Sequence, residues 1–273
     1  MGLFGDPRTA GEIITEARGR AARGDHKKAA SLYAAALKKD PGNRTALLGR
    51  GVALNGAKKY ADAVTCLDEL LRSRPGDAAA LNNKGIALAE LGNLQDADGC
   101  YAEAIRSDPS YAASYFNRGV LLDRLGDGEG ALAMLEKAQA ADPRRPNVRF
   151  YRGIVLGKMK RHREAMACFE RVLKSDPGHA DAAFQRGIQL AELGRHEEAL
   201  AAFGRLGAEH RGSAGLLYAE ARSCAALGRH GEALSLLRKA FGRDPKTVRR
   251  WAREEKAFTV LHNDPGFRAI ART

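Results

Sequence analysis

Prolines at 41, 75, 109, 143 and 177 stand 34 residues apart, Arg211 takes the next place, and Pro245 resumes the series. A chain that folds around one irregular core has no reason to keep such a metre. A fixed period of this size marks stacked copies of one supersecondary unit, none of which can bury its own apolar face alone. Seven copies fill residues 10–247 without an insertion (10–43, 44–77, 78–111, 112–145, 146–179, 180–213 and 214–247). They leave a lead-in of residues 1–9 and a tail of residues 248–273.

The columns of this repeat say what each copy is. With Ala10 as position 1, position 20 is alanine throughout: Ala29, Ala63, Ala97, Ala131, Ala165, Ala199 and Ala233. Position 8 is equally small (Ala17, Gly51, Gly85, Gly119, Gly153, Gly187, Ala221), and position 24 supplies a large partner (Tyr33, Leu67, Tyr101, Leu135, Phe169, Phe203, Leu237). Small against large is how two closely approaching helices interlock. Apolar residues at positions 20, 21, 24, 27 and 28 keep a helical period. Position 15 is glycine in five copies, where a left-handed residue ends a first helix, and Lys58 and Lys160 break the column. Thr9 with Glu12 reads as a capping box, and Asn43 and Asp77 read as N-caps. Aromatic residues make up only 6% of the chain and no convincing strand is present, so an all-α fold is expected.

These columns resemble the tetratricopeptide repeat family over nearly the whole chain. ALNNKGIALAELGNLQDADGCYAEAIRSDP, beginning at Ala80, carries the resemblance best, in a style similar to prokaryotic and archaeal repeats. The resemblance implies a right-handed α-solenoid of helix-turn-helix units, helix A then helix B, with the A helices lining a concave groove. The first copy departs most, because Arg20 sits where the others have Leu or Cys, and its first helix is expected to pack loosely. After Thr247 the pattern starts again, with Trp251 at the family's tryptophan position, and then gives way to AFTVLHNDPGFRAIA. That tail is expected to form a capping lid from Trp251, Phe258, Leu261, Phe267 and Ile270.

Candidate chemistry dissolves into the repeat. His196-Glu197-Glu198 looks like a metal or acid-base cluster, but His26, His162, His196 and His230 all occupy position 17, where Tyr60 also stands. One ring per stacked helix pair cannot converge on an ion at about 2 Å. Cys66, Cys100 and Cys168 share position 23 with apolar residues, Cys224 replaces a core leucine, and no zinc spacing occurs. No phosphate-binding glycine loop opens a strand-to-helix turn. No catalytic residue, metal site or cofactor is therefore assigned, and the chain is read as non-enzymatic. With no leader pattern at its start and no apolar run near the roughly 20 residues of a membrane span, the expectation is a cytoplasmic protein without a membrane partner.

What remains is surface. By resemblance, position 5 faces the groove, and it becomes aromatic in four successive copies as Phe116, Phe150, Phe184 and Tyr218. Val52, Ile86, Val120, Ile154 and Ile188 at position 9 make the floor apolar. Position 6 adds Asn83, Asn117, Tyr151 and Gln185; an asparagine column there binds extended peptide main chain in some family members, which carries over to Asn83 and Asn117 and more weakly to Gln185. Two readings stay open: the position 5 rings line a groove, or they pack between copies. The Lys-Asn pairing of a carboxylate clamp is missing from positions 5 and 9.

The net charge is +12, but it is uneven. Residues 78–111 hold two basic and five acidic side chains, whereas residues 146–179 hold eight and three. Lys158, Lys160, Arg161 and Arg163 form a basic patch, and Arg50, Lys84, Arg118, Arg152 and Arg186 form a basic column at position 7. Pairing with neighbouring acids accounts for most such charges, and a nucleic acid or acidic protein is the alternative partner. The primary expectation is a scaffold that holds a peptide or protein segment in its groove.

Overall fold

A computed structural model describes residues 7–207 and 212–271, and no strand occurs among them. Arg211 of the proline series lies outside the described residues. The chain divides into two compact units, residues 1–144 and 145–273. The first contains α1 (Ala10–Ala22), α2 (His26–Lys39), α3 (Arg44–Gly56), α4 (Tyr60–Ser73), α5 (Ala78–Glu90), α6 (Leu94–Ser107), α7 (Ala112–Arg124) and α8 (Gly128–Ala141). The second contains α9 (Pro146–Lys158), α10 (His162–Ser175), α11 (Ala180–Glu192), α12 (His196–Gly204), α13 (Ala214–Ala226), α14 (His230–Arg243), α15 (Pro245–Glu254), a 3-10 segment (Lys256–Leu261) and α16 (Pro265–Ala271). Within each unit consecutive helices pack on one another in chain order, which is α-solenoid packing.

Local chemistry sets where the helices begin and end. Thr9 and Glu12 close their capping box, and Asn43, Asp77 and Ser213 each accept a hydrogen bond from the third backbone N–H of the following helix. Every first helix of a pair stops on the same turn. Gly24, Gly92, Gly126, Gly194 and Gly228 take positive φ, and so do Lys58 and Lys160, both at 60°. In all seven turns the next amide donates back five residues, as from Lys59 to the Leu54 carbonyl at 2.9 Å and from Arg161 to Leu156 at 2.9 Å. The two lysines therefore adopt the conformation of the glycines they replace, because the turn is dictated by the packing on either side of it.

The seven position 20 alanines are fully buried. A Cβ built on Gly51, Gly85, Gly153 or Gly187 would fall 2.6, 2.6, 2.7 and 2.4 Å from Leu67, Tyr101, Phe169 and Phe203 respectively. The interlock read from the columns is thus physical: the large residue of each B helix occupies the space above a missing side chain on its A helix. Helix α1 corrects an expectation. It packs closely against α2, with Ile13 and Ala17 fully buried, while Arg20 brings its guanidinium within 3.7 Å of both Glu16 and Asp25 although its Nε stays buried without a hydrogen bond. At the other end Phe258, Leu261, Phe267 and Ile270 are buried with Val248 and Ala252 against Leu237 and Ala240 of α14.

Candidate functional site

The A-helix faces were the predicted surface, and each unit is built differently there. In the first unit, Asn82 of α5 is buried at 3% exposure, and its Oδ1 accepts hydrogen bonds from Asn117 Nδ2 at 2.9 Å and Ser114 Oγ at 3.4 Å. Asn83 donates Nδ2 to the Ala79 carbonyl of its own helix at 2.8 Å, while its main-chain oxygen accepts from Asn55 at 2.9 Å. Both position 6 asparagines thus use one amide hydrogen inside the protein and are left half-buried. Phe116 is also half-buried. Val52 is 44% exposed, whereas Ile86, Val120, Ile154 and Ile188 are half-buried.

In the second unit the aromatic column is partly covered by its neighbours. Phe150 of α9 stacks on His179 with centroids 5.1 Å apart and meets the edge of Phe169 at 5.7 Å. His179 also caps α11, its Nδ1 accepting from Ala182 N at 3.2 Å, so one ring fixes both a helix start and an aromatic contact. Phe184 leans on Phe203 at 5.8 Å, and Tyr151 and Gln185 are half-buried beside these rings in sequence. Tyr218 sits 5.1 Å from Trp251 and 5.6 Å from Phe258 and donates its hydroxyl to the Trp251 carbonyl at 3.1 Å. Burial, reinforced by the Glu255 carboxylate, pushes the Tyr218 hydroxyl far above its ordinary pKa.

Residues of α11, α13 and the tail line an open pocket of about 390 Å³. Phe184 and Ile188 come from α11, Gly215, Tyr218, Ala219 and Arg222 from α13, and Trp251, Glu254 and Glu255 from the tail. Phe184 and Tyr218 were legible as site candidates; Arg222, Glu254 and Glu255 were not. A signal existed for the first of these, since position 9 is Val or Ile from Val52 to Ile188 and changes to Arg222. Trp251, assigned to the lid, is half-buried with its ring turned into the pocket wall. Arg222 Nη1 is held by Glu192 at 2.6 Å and lies 3.7 Å from Glu255, whereas its buried Nη2 has no partner.

The histidine cluster separates in space. His196 is half-buried with Nδ1 lacking a partner, and burial together with the Arg222 guanidinium holds its pKa below the usual value. Glu197 is 71% exposed and Glu198 forms a two-point bridge to Arg195 at 2.7 Å. The same arginine-to-glutamate bridge opens α10 and α14 through Arg161–Glu164 and Arg229–Glu232, which explains the recurring Arg-His-x-Glu signature as helix-start chemistry. His162 Nδ1 bonds Gln189 Oε1 at 2.9 Å, a part-buried contact that joins one repeat to the next. Among the described residues no group of three or more His, Cys, Asp or Glu side chains is placed to hold a metal.

Much of the basic column is paired. Lys84 meets Asp68 at 2.7 Å, Arg118 meets Asp98 at 2.7 Å and Arg186 meets Glu170 at 3.0 Å, each bridging to the preceding B helix. Lys158, Lys160 and Arg163 are exposed, while Arg161 is committed to Glu164. No helix among the described residues is long and apolar enough to cross a membrane.

Comparison with known proteins agrees with this architecture. A family model described as tetratricopeptide repeat matches residues 14–78, 56–98, 90–146 and 152–214, and a second of the same description matches 190–253. No curated protein matches the chain. The fold is similar to the crystal structure of a tetratricopeptide repeat protein from Parabacteroides merdae, with TM-score 0.64 and 18% identity over 88% of this chain and 96% of that one. It is also similar to YrrB, described as having an unusual peptide-binding site, with TM-score 0.57 and 25% identity over 69% of this chain and 97% of that one. A thermophilic protein of Thermus thermophilus, TTC0263, gives TM-score 0.60 and 22% identity over 67% of this chain and 100% of that one. Repeat phase, turn geometry and these matches together place the chain in the tetratricopeptide repeat family.

Proposed function

We propose that this protein is a non-catalytic scaffold whose A-helix faces hold an extended segment of a partner protein. The observation that carries the reading is the pocket among α11, α13 and α15, where three aromatic side chains and Ile188 surround a space large enough for one residue of a bound chain. Phe150 with Tyr151, Phe184 with Gln185, and Phe116 with Asn117 repeat the same pairing of ring and hydrogen-bonding group at successive A helices. Asn83 and Asn117 retain one amide hydrogen each for a main-chain carbonyl after their internal bonds are counted. The peptide-binding site described for YrrB supports the reading by similarity.

The test uses Gly215, where an added side chain meets no atom within 4 Å. A photo-crosslinking amino acid in place of Gly215 should join to a discrete partner peptide, whereas the same group in place of Gly99, on an exposed helix-B site, should not. The double variant Phe150→Ala, Phe184→Ala should keep its helicity and lose partner capture. Crosslinking no stronger at 215 than at 99 refutes the proposal even if the double variant fails to fold.

A further inference from the structure

The pocket of α11, α13 and α15 carries a charge opposite to that of the chain. The protein has a net charge of +12, yet Glu254 and Glu255 line this pocket and Glu192 lies against Arg222, its only lining cation among the described residues. Two carboxylates, of Glu192 and Glu255, thus meet the one guanidinium, and Glu254 adds a third negative charge at the pocket. We infer that the pocket receives a lysine or arginine side chain of the bound segment; this rests on the peptide-binding reading above and specifies its partner.

The walls suit the two halves of such a side chain. Phe184, Ile188 and Ala219 give an apolar surface for the aliphatic stem, and the tilted rings of Tyr218 and Trp251, 5.1 Å apart, offer π faces to the cation. The acids are not equivalent. Glu255 is occupied, its Oε1 accepting from Ala257 N at 3.0 Å and its Oε2 lying 3.7 Å from Arg222. Glu254 is exposed, lines the pocket and makes no ion pair among the described residues, so its carboxylate is available to the incoming charge. Arg222 does not oppose this arrangement, because Nη1 is neutralised by Glu192 and Nη2 is buried out of reach of the incoming charge.

Trp251 is the single tryptophan of the chain, so its fluorescence reports on the pocket directly. The probes are the blocked tripeptides acetyl-Leu-Lys-Leu-amide, acetyl-Leu-norleucine-Leu-amide and acetyl-Leu-Glu-Leu-amide, titrated at low salt. The lysine peptide should bind about fivefold more tightly than the norleucine peptide, the scale of one cation–π contact plus one exposed ion pair. Glu254→Gln removes the ion pair but not the cation–π contact, so it should lower that preference to about twofold and leave norleucine binding unchanged. Norleucine binding as tightly as lysine, or a preference undiminished in Glu254→Gln, overturns the inference while leaving the peptide reading intact. Tightest binding by the glutamate peptide overturns it in favour of Arg222 as the recognition group. If no peptide alters Trp251 emission and crosslinking at 215 is also absent, both readings fall together.

Discussion

Gly187→Ala tests the interlock on which each helix pair depends. Its new Cβ would lie 2.4 Å from Phe203 Cε1 and 2.8 Å from Cδ1, whereas ordinary contact begins near 3.4 Å. Phe203 is 1% exposed and so must move about 1 Å within a filled core. Overpacking of this kind costs about 1–3 kcal/mol, against a helix-propensity gain of about 1 kcal/mol for replacing glycine. The balance is a loss of about 0–2 kcal/mol, centred near 1 kcal/mol, or about 2–4 °C in thermal midpoint followed by circular dichroism. Gly99→Ala in α6 is the control, since its Cβ meets nothing within 4 Å, and it should stabilise by about 0.5–1 kcal/mol. The chain itself carries alanine at the equivalent position opposite the smaller Leu237, as Ala221, and opposite Tyr33, as Ala17, where the ring lies against Gly49. The double variant Gly187→Ala, Phe203→Leu should recover part of the loss. A Gly187→Ala protein at least as stable as wild type would show that Phe203 relocates freely and that the small column is not what holds the helices in register.

Three further outcomes follow from particular side chains. Lys58→Gly and Lys160→Gly should each stabilise by about 0.5–1 kcal/mol in urea titrations, since each relieves a non-glycine residue at φ 60° by more than glycine costs in the unfolded chain. His196 has a native pKa held below its ordinary value, so below about pH 6.5 the unfolded chain binds a proton that the native state refuses. Stability should therefore fall as pH drops through that value, and His196→Leu, the residue that Leu94 supplies at the same repeat position, should flatten the dependence in pH-stepped urea melts. Burial raises all four thiol pKa values, and Cys66, Cys168 and Cys224 are buried while Cys100 is half-exposed. Iodoacetamide followed by peptide mapping should therefore modify Cys100 first; labelling of Cys66 or Cys224 ahead of it would contradict the packing.

The helical repeat was legible in the sequence because its constraints are local and recur. An all-alanine column, a glycine turn and a capping residue each act within one pair of helices, so repetition exposes them even without coordinates. Lys58 and Lys160 broke the glycine column in sequence but not in conformation, since the packed helices on either side impose the turn whatever residue fills it. Arg20 misled for a related reason: its position in the repeat was apolar, but a long side chain can bring its charge to Glu16 and Asp25 while its stem stays in the seam. The aromatic column was visible as a period, but its exposure was not, because Phe150 is covered by His179 and Tyr218 by Trp251 through contacts that no spacing rule encodes. The acidic pocket lay further out of reach. Glu254 and Glu255 stand after the repeat ends, and only the packing of α15 on α14, with the 3-10 segment on α13, brings them beside Tyr218 and Arg222.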